Sequence, residues 1–196
     1  MEIEIKRKIA HSLGVFTILL IQIFGKWYGA LIMLLISTAF FMLGEYRKNK
    51  HKFDHLKTKA LNELEDLLED EIKTVERPKE LPFKGAITFY FGCFLATILF
   101  QPHIAIASIT VLALADSLST LIGYFYGKHK LPINKSKSWE GSLTFLIISF
   151  FVLLLFINPF KALIAGILTT LVEMLPKIDD NIFVPLSVGL FMILIS

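Results

Sequence analysis

One cysteine, Cys93, stands in 196 residues, so no disulfide within the chain can staple the fold, and cysteine usage reports no compartment. There is no Walker A sequence, no zinc-type Cys/His spacing and no G-x-S-x-G elbow. Local motifs therefore offer no P-loop, zinc-site or α/β-hydrolase reading. Internal repeats and low-complexity tracts are absent too. Nothing beyond the lysines points to nucleic acid, and no nucleic-acid partner is expected. The apolar run after Lys8 lacks a small-residue cleavage site and leads straight into another apolar run, so it reads as a retained helix.

What the chain does have is apolar residues. With 55% hydrophobic residues and 18 Phe, and a mean hydropathy of +0.65, it is too apolar for a soluble domain. The expectation is an all-α, polytopic membrane protein forming a single domain over 1–196. Apolar runs lie near 9–24, 27–44, 85–100, 104–126, 142–157, 160–175 and 182–195, which makes seven candidate spans. With a cytoplasmic N-terminus, every lysine and arginine except Lys26 and Lys161 falls on the inner side. That asymmetry is a positive-inside signal, and the short loops agree with it. A multi-pass protein of the cell membrane with its polar face in the cytoplasm follows.

Residues 45–84 are the one candidate for an element outside the bilayer. Leu56, Ala60, Leu64, Leu67, Leu68, Ile72 and Val75 recur at helical spacing, with acidic residues largely on other faces. One cytoplasmic amphipathic helix is expected, ended by Pro78 and Pro82. It reads either as a solvated connector or, through its basic front, as a contact for anionic headgroups.

The chain is organised around residues 116–142, DSLSTLIGYFYGKHKLPINKSKSWEGS. Asp116, Ser119, Thr120 and Gly123 recur at i, i+3, i+4 and i+7 and so share one helix face. Such a stripe either glues helices together or presents a carboxylate to Mg²⁺ or a nucleotide phosphate. A carboxylate inside an apolar span is costly, and that favours function. The loop then carries Gly127, Lys128, Lys130, Lys135, Lys137 and Ser138, a composition that favours phosphate through ammonium groups and approachable backbone N–H groups. Glu140 and Gly141 open the next span, where a helix N-terminus adds free donors and positive dipole.

A second acidic group comprises Glu173, Asp179, Asp180 and Asn181, with Pro176 between span and acids. Hard oxygens of this kind suit Mg²⁺, which takes one or two carboxylates plus substrate phosphates. A capped polar turn is the plainer alternative. Arg7 and His11, four apart, share a face at the start of the first span.

Four pieces of sequence carry a resemblance: RKIAH at Arg7–His11, KGAITFYFG at Lys84–Gly92, the Asp116 loop ending in KSWEG, and VEMLPKIDDNIFVPL at Val172–Leu186. The chain resembles the CTP-dependent lipid kinases, a family that includes dolichol kinase, phytol kinase and the CTP-dependent diacylglycerol kinases and is related to the phosphatidate cytidylyltransferases. Ser138 departs from the more usual threonine but keeps the hydroxyl. The resemblance implies phosphoryl transfer from CTP to the hydroxyl of a polyprenol-type alcohol or diacylglycerol, with Mg²⁺ as cofactor. It implies metal contact by Asp116, Asp179 and Asp180, and phosphate contact by Lys128, Lys130, Lys135, Lys137, Ser138 and the glycines 127 and 141. Glu140 takes a structural or base role, Glu173 and Asn181 complete the site, and Arg7, His11, Lys84 and Ser119 belong to the accompanying motifs. A cytidylyltransferase-like reaction and a small membrane transporter are the other two expectations. An oligomer is compatible with all of them.

Overall fold

In the computed structural model, residues 8, 9, 11–49 and 81–195 are described, and they are helical or in connections, with one isolated bridge between Lys130 and Ser138. The elements are a 3₁₀ turn Gly14–Thr17, α1 Ile18–Lys48, α2 Lys84–Leu99, α3 Pro102–Val111, a π-helical turn Leu112–Asp116, α4 Ser117–Tyr126, α5 Trp139–Leu153, α6 Pro159–Glu173 and α7 Asp180–Leu194. Among the described residues, most of each apolar run expected from the sequence is helical. Arg7 and most of the expected amphipathic helix over 45–84 lie outside the described residues; residues 45–48 form the last turn of α1.

By length and composition, two helices among the described residues could cross a membrane, His11–Lys48 and Pro102–Tyr126, while Lys84–Leu99, Trp139–Leu153 and Asp180–Leu194 are apolar but shorter. The first is not one straight rod. Gly25 adopts φ 78°, ψ 171°, a conformation that glycine reaches without a Cβ clash. Beyond it Gly29 lies against the backbone of Leu20 and Ile21, so the chain doubles back. Cross-contacts confirm two arms of opposite sense beside α2. His11 meets Phe89 on the first arm, whereas Met33 meets Thr97, Ser37 donates to the Ile87 carbonyl and Gly44 approaches Pro82 on the second.

Helix ends follow local chemistry. Pro102 and Pro159 occupy first-turn positions where no N–H is needed. Ser138, Asn158 and Asp179 cap α5, α6 and α7 by accepting backbone N–H groups. The core between the helices is built from Met33, Cys93, Ala96, Ala105, Ala107, Ala113, Ala115, Phe145, Ala162, Ala165, Val184 and Val188, all buried. Seven of these are alanines, whose small side chains let helix backbones approach closely. Large apolar side chains, among them Trp27, Leu35, Met42, Phe151, Leu163 and Leu194, face outward.

Two close approaches set the position of α7. Gly189 receives the ring of Phe100, and a Cβ on Gly92 would lie 1.9 Å from the Asn181 carbonyl oxygen. Pro185, inside α7, has no N–H to give to that carbonyl four residues back. The carbonyl left over by the proline is thus the group that the bare Cα of Gly92 accommodates.

Candidate functional site

Helix α4 follows a π-helical turn that ends at Asp116, a widening that recurs at functional positions. Asp116 is buried. Its Oδ2 lies 2.5 Å from Lys8 Nζ and 3.4 Å from His11 Nε2, and the His11 ring meets Phe89 edge-on. The buried carboxylate is therefore held by two cationic or titratable partners from the first arm, which is what keeps such a charge tolerable away from water. Ser119 turns inward and donates to the Asp116 carbonyl at 3.0 Å.

After α4 the loop closes on itself. Gly127 is pressed against Gly123 O and Ser138 Oγ, where a Cβ would come within 2.1 and 2.5 Å, so no larger residue fits. The Leu131 N–H donates to Lys137 O at 3.1 Å and the Trp139 N–H to His129 O at 2.9 Å, with Leu131 fully buried as the anchor. Ser138, 2% exposed, accepts from the Gly141 N–H at 3.2 Å. Gly141 lies against Ser119 O and Gly123 Cα, so α4 and α5 meet at their glycines. A cavity of about 490 Å³ opens there, lined by Ser119, Thr120, Gly123, Tyr124, Gly127, Lys130, Ser136, Lys137, Ser138, Gly141, Ser142 and Glu173.

Lys137 is the more buried of the two cations at its wall, Lys130 being exposed. Its Nζ lies 2.7 Å from Glu173 Oε1 and 2.8 Å from Asp180 Oδ2, and it also donates to the Glu173 carbonyl. Burial works to lower the Lys137 pKa, but the Asp180 and Glu173 carboxylates outweigh it and the ammonium is held above its usual range. Glu173 Oε2 accepts from Ser142 Oγ at 3.1 Å. Asp180, which precedes the apolar stretch of α7, has its carboxyl pushed up to about 6 by burial, helped by the charge of Asp116 and opposed by Lys137. Asp116 thus acts electrostatically on the acid group although its direct partners are on the other side.

Other residues expected from the sequence are placed differently. Glu140 does not line the cavity: its Oε1 accepts from the Lys128 and His129 N–H groups at 3.2 Å each, with His129 Nδ1 at 2.7 Å. Hydrogen bonds from its own backbone N–H and the His129 ring hold its carboxyl down at about 2. Lys128, Lys130 and Lys135 are exposed, and of these Lys130 reaches the cavity wall. Asp179 Oδ1 accepts from the Asn181 N–H at 3.1 Å. Asn181 Nδ2 donates to Thr88 Oγ1 at 2.8 Å, and Lys84 is the exposed first residue of α2. Residues that motif reasoning did not single out are Lys8, Thr88, Tyr124, Asn134, Ser136 and Ser142. Lys8 sits in the same basic run as Arg7, and that run was its signal; the rest look like ordinary loop and helix residues until the chain is folded.

Among the described residues, no group of three or more His, Cys, Asp or Glu side chains is arranged to hold a metal unaided. The donor set nevertheless fits a hard cation that brings phosphate oxygens of its own. Asp180 Oδ1 is buried without a hydrogen-bond partner, an orphaned acceptor beside the Lys137 pair.

No family profile and no solved structure matches the chain. Curated proteins do. The chain is 30% identical over 139 residues to "Probable phytol kinase 1, chloroplastic" of Oryza sativa subsp. japonica, covering 59% of this chain and 44% of that protein. It is 28% identical over 139 residues to "Probable phytol kinase, chloroplastic" of Zea mays, covering 59% and 46%. To "Phytol kinase 1, chloroplastic" of Arabidopsis thaliana it is 27% identical over 131 residues, covering 57% and 43%. These matches span less than half the length of those relatives. The curated relatives of this chain are phytol kinases, in keeping with the resemblance its motifs carry to the CTP-dependent polyprenol kinases.

Proposed function

We propose that the chain is a membrane lipid kinase that transfers the γ-phosphate of CTP to the hydroxyl of a polyprenol-type alcohol or diacylglycerol, releasing CDP. The observation that carries this reading is Lys137, seated between Glu173 and Asp180 at the wall of a cavity whose other lining residues, Lys130 apart, are glycines and hydroxyl-bearing side chains. Such a site suits the neutralising and positioning of phosphate, and among the described residues its lining puts neither a histidine nor a cysteine beside the hydroxyls. Phosphoryl transfer requires little more than positioning and charge neutralisation. The similarity to phytol kinases points to the same class of acceptor.

In this reading the alcohol oxygen bonds to the γ phosphorus and releases its proton to solvent, the bond from that phosphorus to the β–γ bridging oxygen breaks, and CDP departs with that oxygen. Lys137 and Lys130 take the phosphate charge, while the Ser138 hydroxyl and the loop backbone orient it. Mg²⁺, when bound with the nucleotide, supplies charge neutralisation. Asp180, Asp116 and Asp179 are the carboxylates assigned to it, with Glu173 close by. Glu140 and His129 brace the loop from outside.

The proposed topology is seven spans in the cell membrane with the site at the cytoplasmic face. Its support is the outward-facing apolar side chains and the gathering of Lys8, Asp116, Lys137, Glu173 and Asp180 at one end, with Lys26 next to the Gly25 turn and Lys161 in the first turn of α6, at the far end of that helix from Glu173. The lipid then enters sideways between helices and the nucleotide arrives from solvent.

CTP labelled separately at the α and γ phosphates, incubated with purified protein, Mg²⁺ and a panel of lipid alcohols, tests the reaction. The γ label is expected in the lipid. Appearance of the α label there, with release of pyrophosphate, would replace the kinase with a cytidylyltransferase.

A further inference from the structure

The end of α6 closes partly on its own chain, with the Met174 N–H on the Thr170 carbonyl and the Leu175 N–H on that of Val172, and partly on the loop. Helix carbonyls in the last turn have no intrahelical donors and must find others. Here the loop supplies the donors for the carbonyls from Glu173 onward: Lys137 Nζ takes the Glu173 carbonyl, and Asn134 Nδ2 lies 3.4 Å from the Met174 carbonyl and 3.2 Å from that of Leu175. The other half of the Asn134 amide faces the loop itself. Its Oδ1 accepts from Ser136 Oγ at 2.6 Å and from the Ser136 N–H at 3.3 Å, and its backbone carbonyl accepts the Lys137 N–H at 3.0 Å. Ser136 and Lys137 both line the cavity.

We propose that Asn134 is a positioning residue that docks the loop onto the end of α6, and in doing so fixes Lys137 between Glu173 and Asp180 for phosphate binding. Only an amide does both halves of this, because it donates from one side and accepts on the other. A carboxylate in its place keeps the bond to Ser136 and meets two carbonyl oxygens without a proton to share. Because Glu173 is both the last residue of α6 and a partner of Lys137, loosening the dock also loosens the pair.

This inference rests on the lipid-kinase reading for its kinetic arm, and its test is built to separate the two. Asn134→Asp, nearly isosteric, and Asn134→Ala, which adds no charge, are compared with wild type for thermal stability, steady-state kinetics and amide hydrogen exchange over residues 127–139. Both variants are expected to raise KM for CTP by roughly tenfold, the scale of one or two lost hydrogen bonds. They should leave kcat and the lipid KM within about threefold, a split that general loss of structure does not produce. Exchange at the Leu131 and Lys137 amides is expected to quicken in parallel. Unchanged exchange, or a uniform loss across kcat and both KM values, overturns the proposal. Should wild type move no phosphate from CTP, the kinase reading falls separately. Binding of inorganic triphosphate with Mg²⁺, followed by calorimetry, then decides the role of Asn134: equal affinity in wild type and Asn134→Asp overturns it.

Discussion

Lys137 and Asp180, 43 residues apart in the chain, meet at 2.8 Å, and the same ammonium reaches Glu173 at 2.7 Å. One cation from the loop thus ties together the ends of α6 and α7. The pair also connects the two acidic regions, since the charge of Asp116 is felt at Asp180.

Asp180→Asn keeps the size of the side chain and removes a charge that the proposed reaction uses. Activity is expected to fall by roughly a hundredfold or more, as when several kcal/mol of transition-state stabilisation are lost. Chromatographic behaviour in detergent should match wild type. Near-normal turnover in this variant would leave Asp180 with only a helix-end role.

The pH profile should carry the same signature. An Asp180 carboxyl pushed up to about 6 is neutral below that pH and cannot hold a cation there, so kcat/KM for CTP should rise as pH rises through about 6. Linkage runs the other way for stability: a carboxyl whose folded pKa lies above its unfolded value near 3.9 favours the folded state at low pH, and that contribution is lost as pH rises from about 4 to 6. Glu140, held at about 2, stays ionised across the range and adds no limb near 6. The residual activity of Asp180→Asn should therefore lack the limb; a limb that persists there belongs to another group.

Glu140→Gln and Glu140→Ala separate bracing from proton transfer. A glutamine retains an oxygen for the Lys128 and His129 N–H groups, so turnover within about threefold of wild type is expected, while alanine, which abandons both donors, should cost about tenfold or more. Equal, severe loss in both variants would instead mark the carboxylate as a proton-transfer group, as measured by initial rates at saturating CTP.

Gly92→Ala and Gly85→Ala form a contrasting pair on one helix. A Cβ at Gly92 would stand 1.9 Å from the Asn181 carbonyl oxygen, whereas at Gly85 nothing lies within 4 Å. The first should destabilise by about 1–3 kcal/mol and displace the start of α7 with its acids. The second should be neutral or stabilising by up to about 1 kcal/mol, since alanine is the better helix former. Thermal melts in detergent read both, and equal melting temperatures for the two variants would contradict the close approach.

Much of the helical layout was legible because hydrophobic runs and their punctuation are local signals. Gly25 and Lys26 separate the first two runs, Pro102 and Pro159 start helices, and Ser138 and Asp179 cap them. The π-helical turn before Asp116 was not legible, because a one-residue widening leaves no periodicity of its own. Among site residues, Lys137, Ser138, Glu173 and Asp180 were readable from composition and motif. Asn134 was not: between Ile133 and Lys135 it looks like any turn residue. Its meaning lies in two carbonyls about 40 residues downstream.

The sequence by itself determined that the described residues are helical and strongly apolar, since hydrophobic runs and their spacing are properties of the chain itself. It also determined which chemistry was available, hard oxygens and ammonium groups around small residues. Only the tertiary structure decided which of those groups share a space. It turned Lys137 inward to Glu173 and Asp180 while leaving Lys128 and Lys135 outside, sent Glu140 to the loop backbone, and gave Asp116 to Lys8 and His11. The physical reason is that adjacent loop residues are equivalent in composition but not in direction. A buried charge must end beside its partner, and the helices that bring the partner there are tens of residues away.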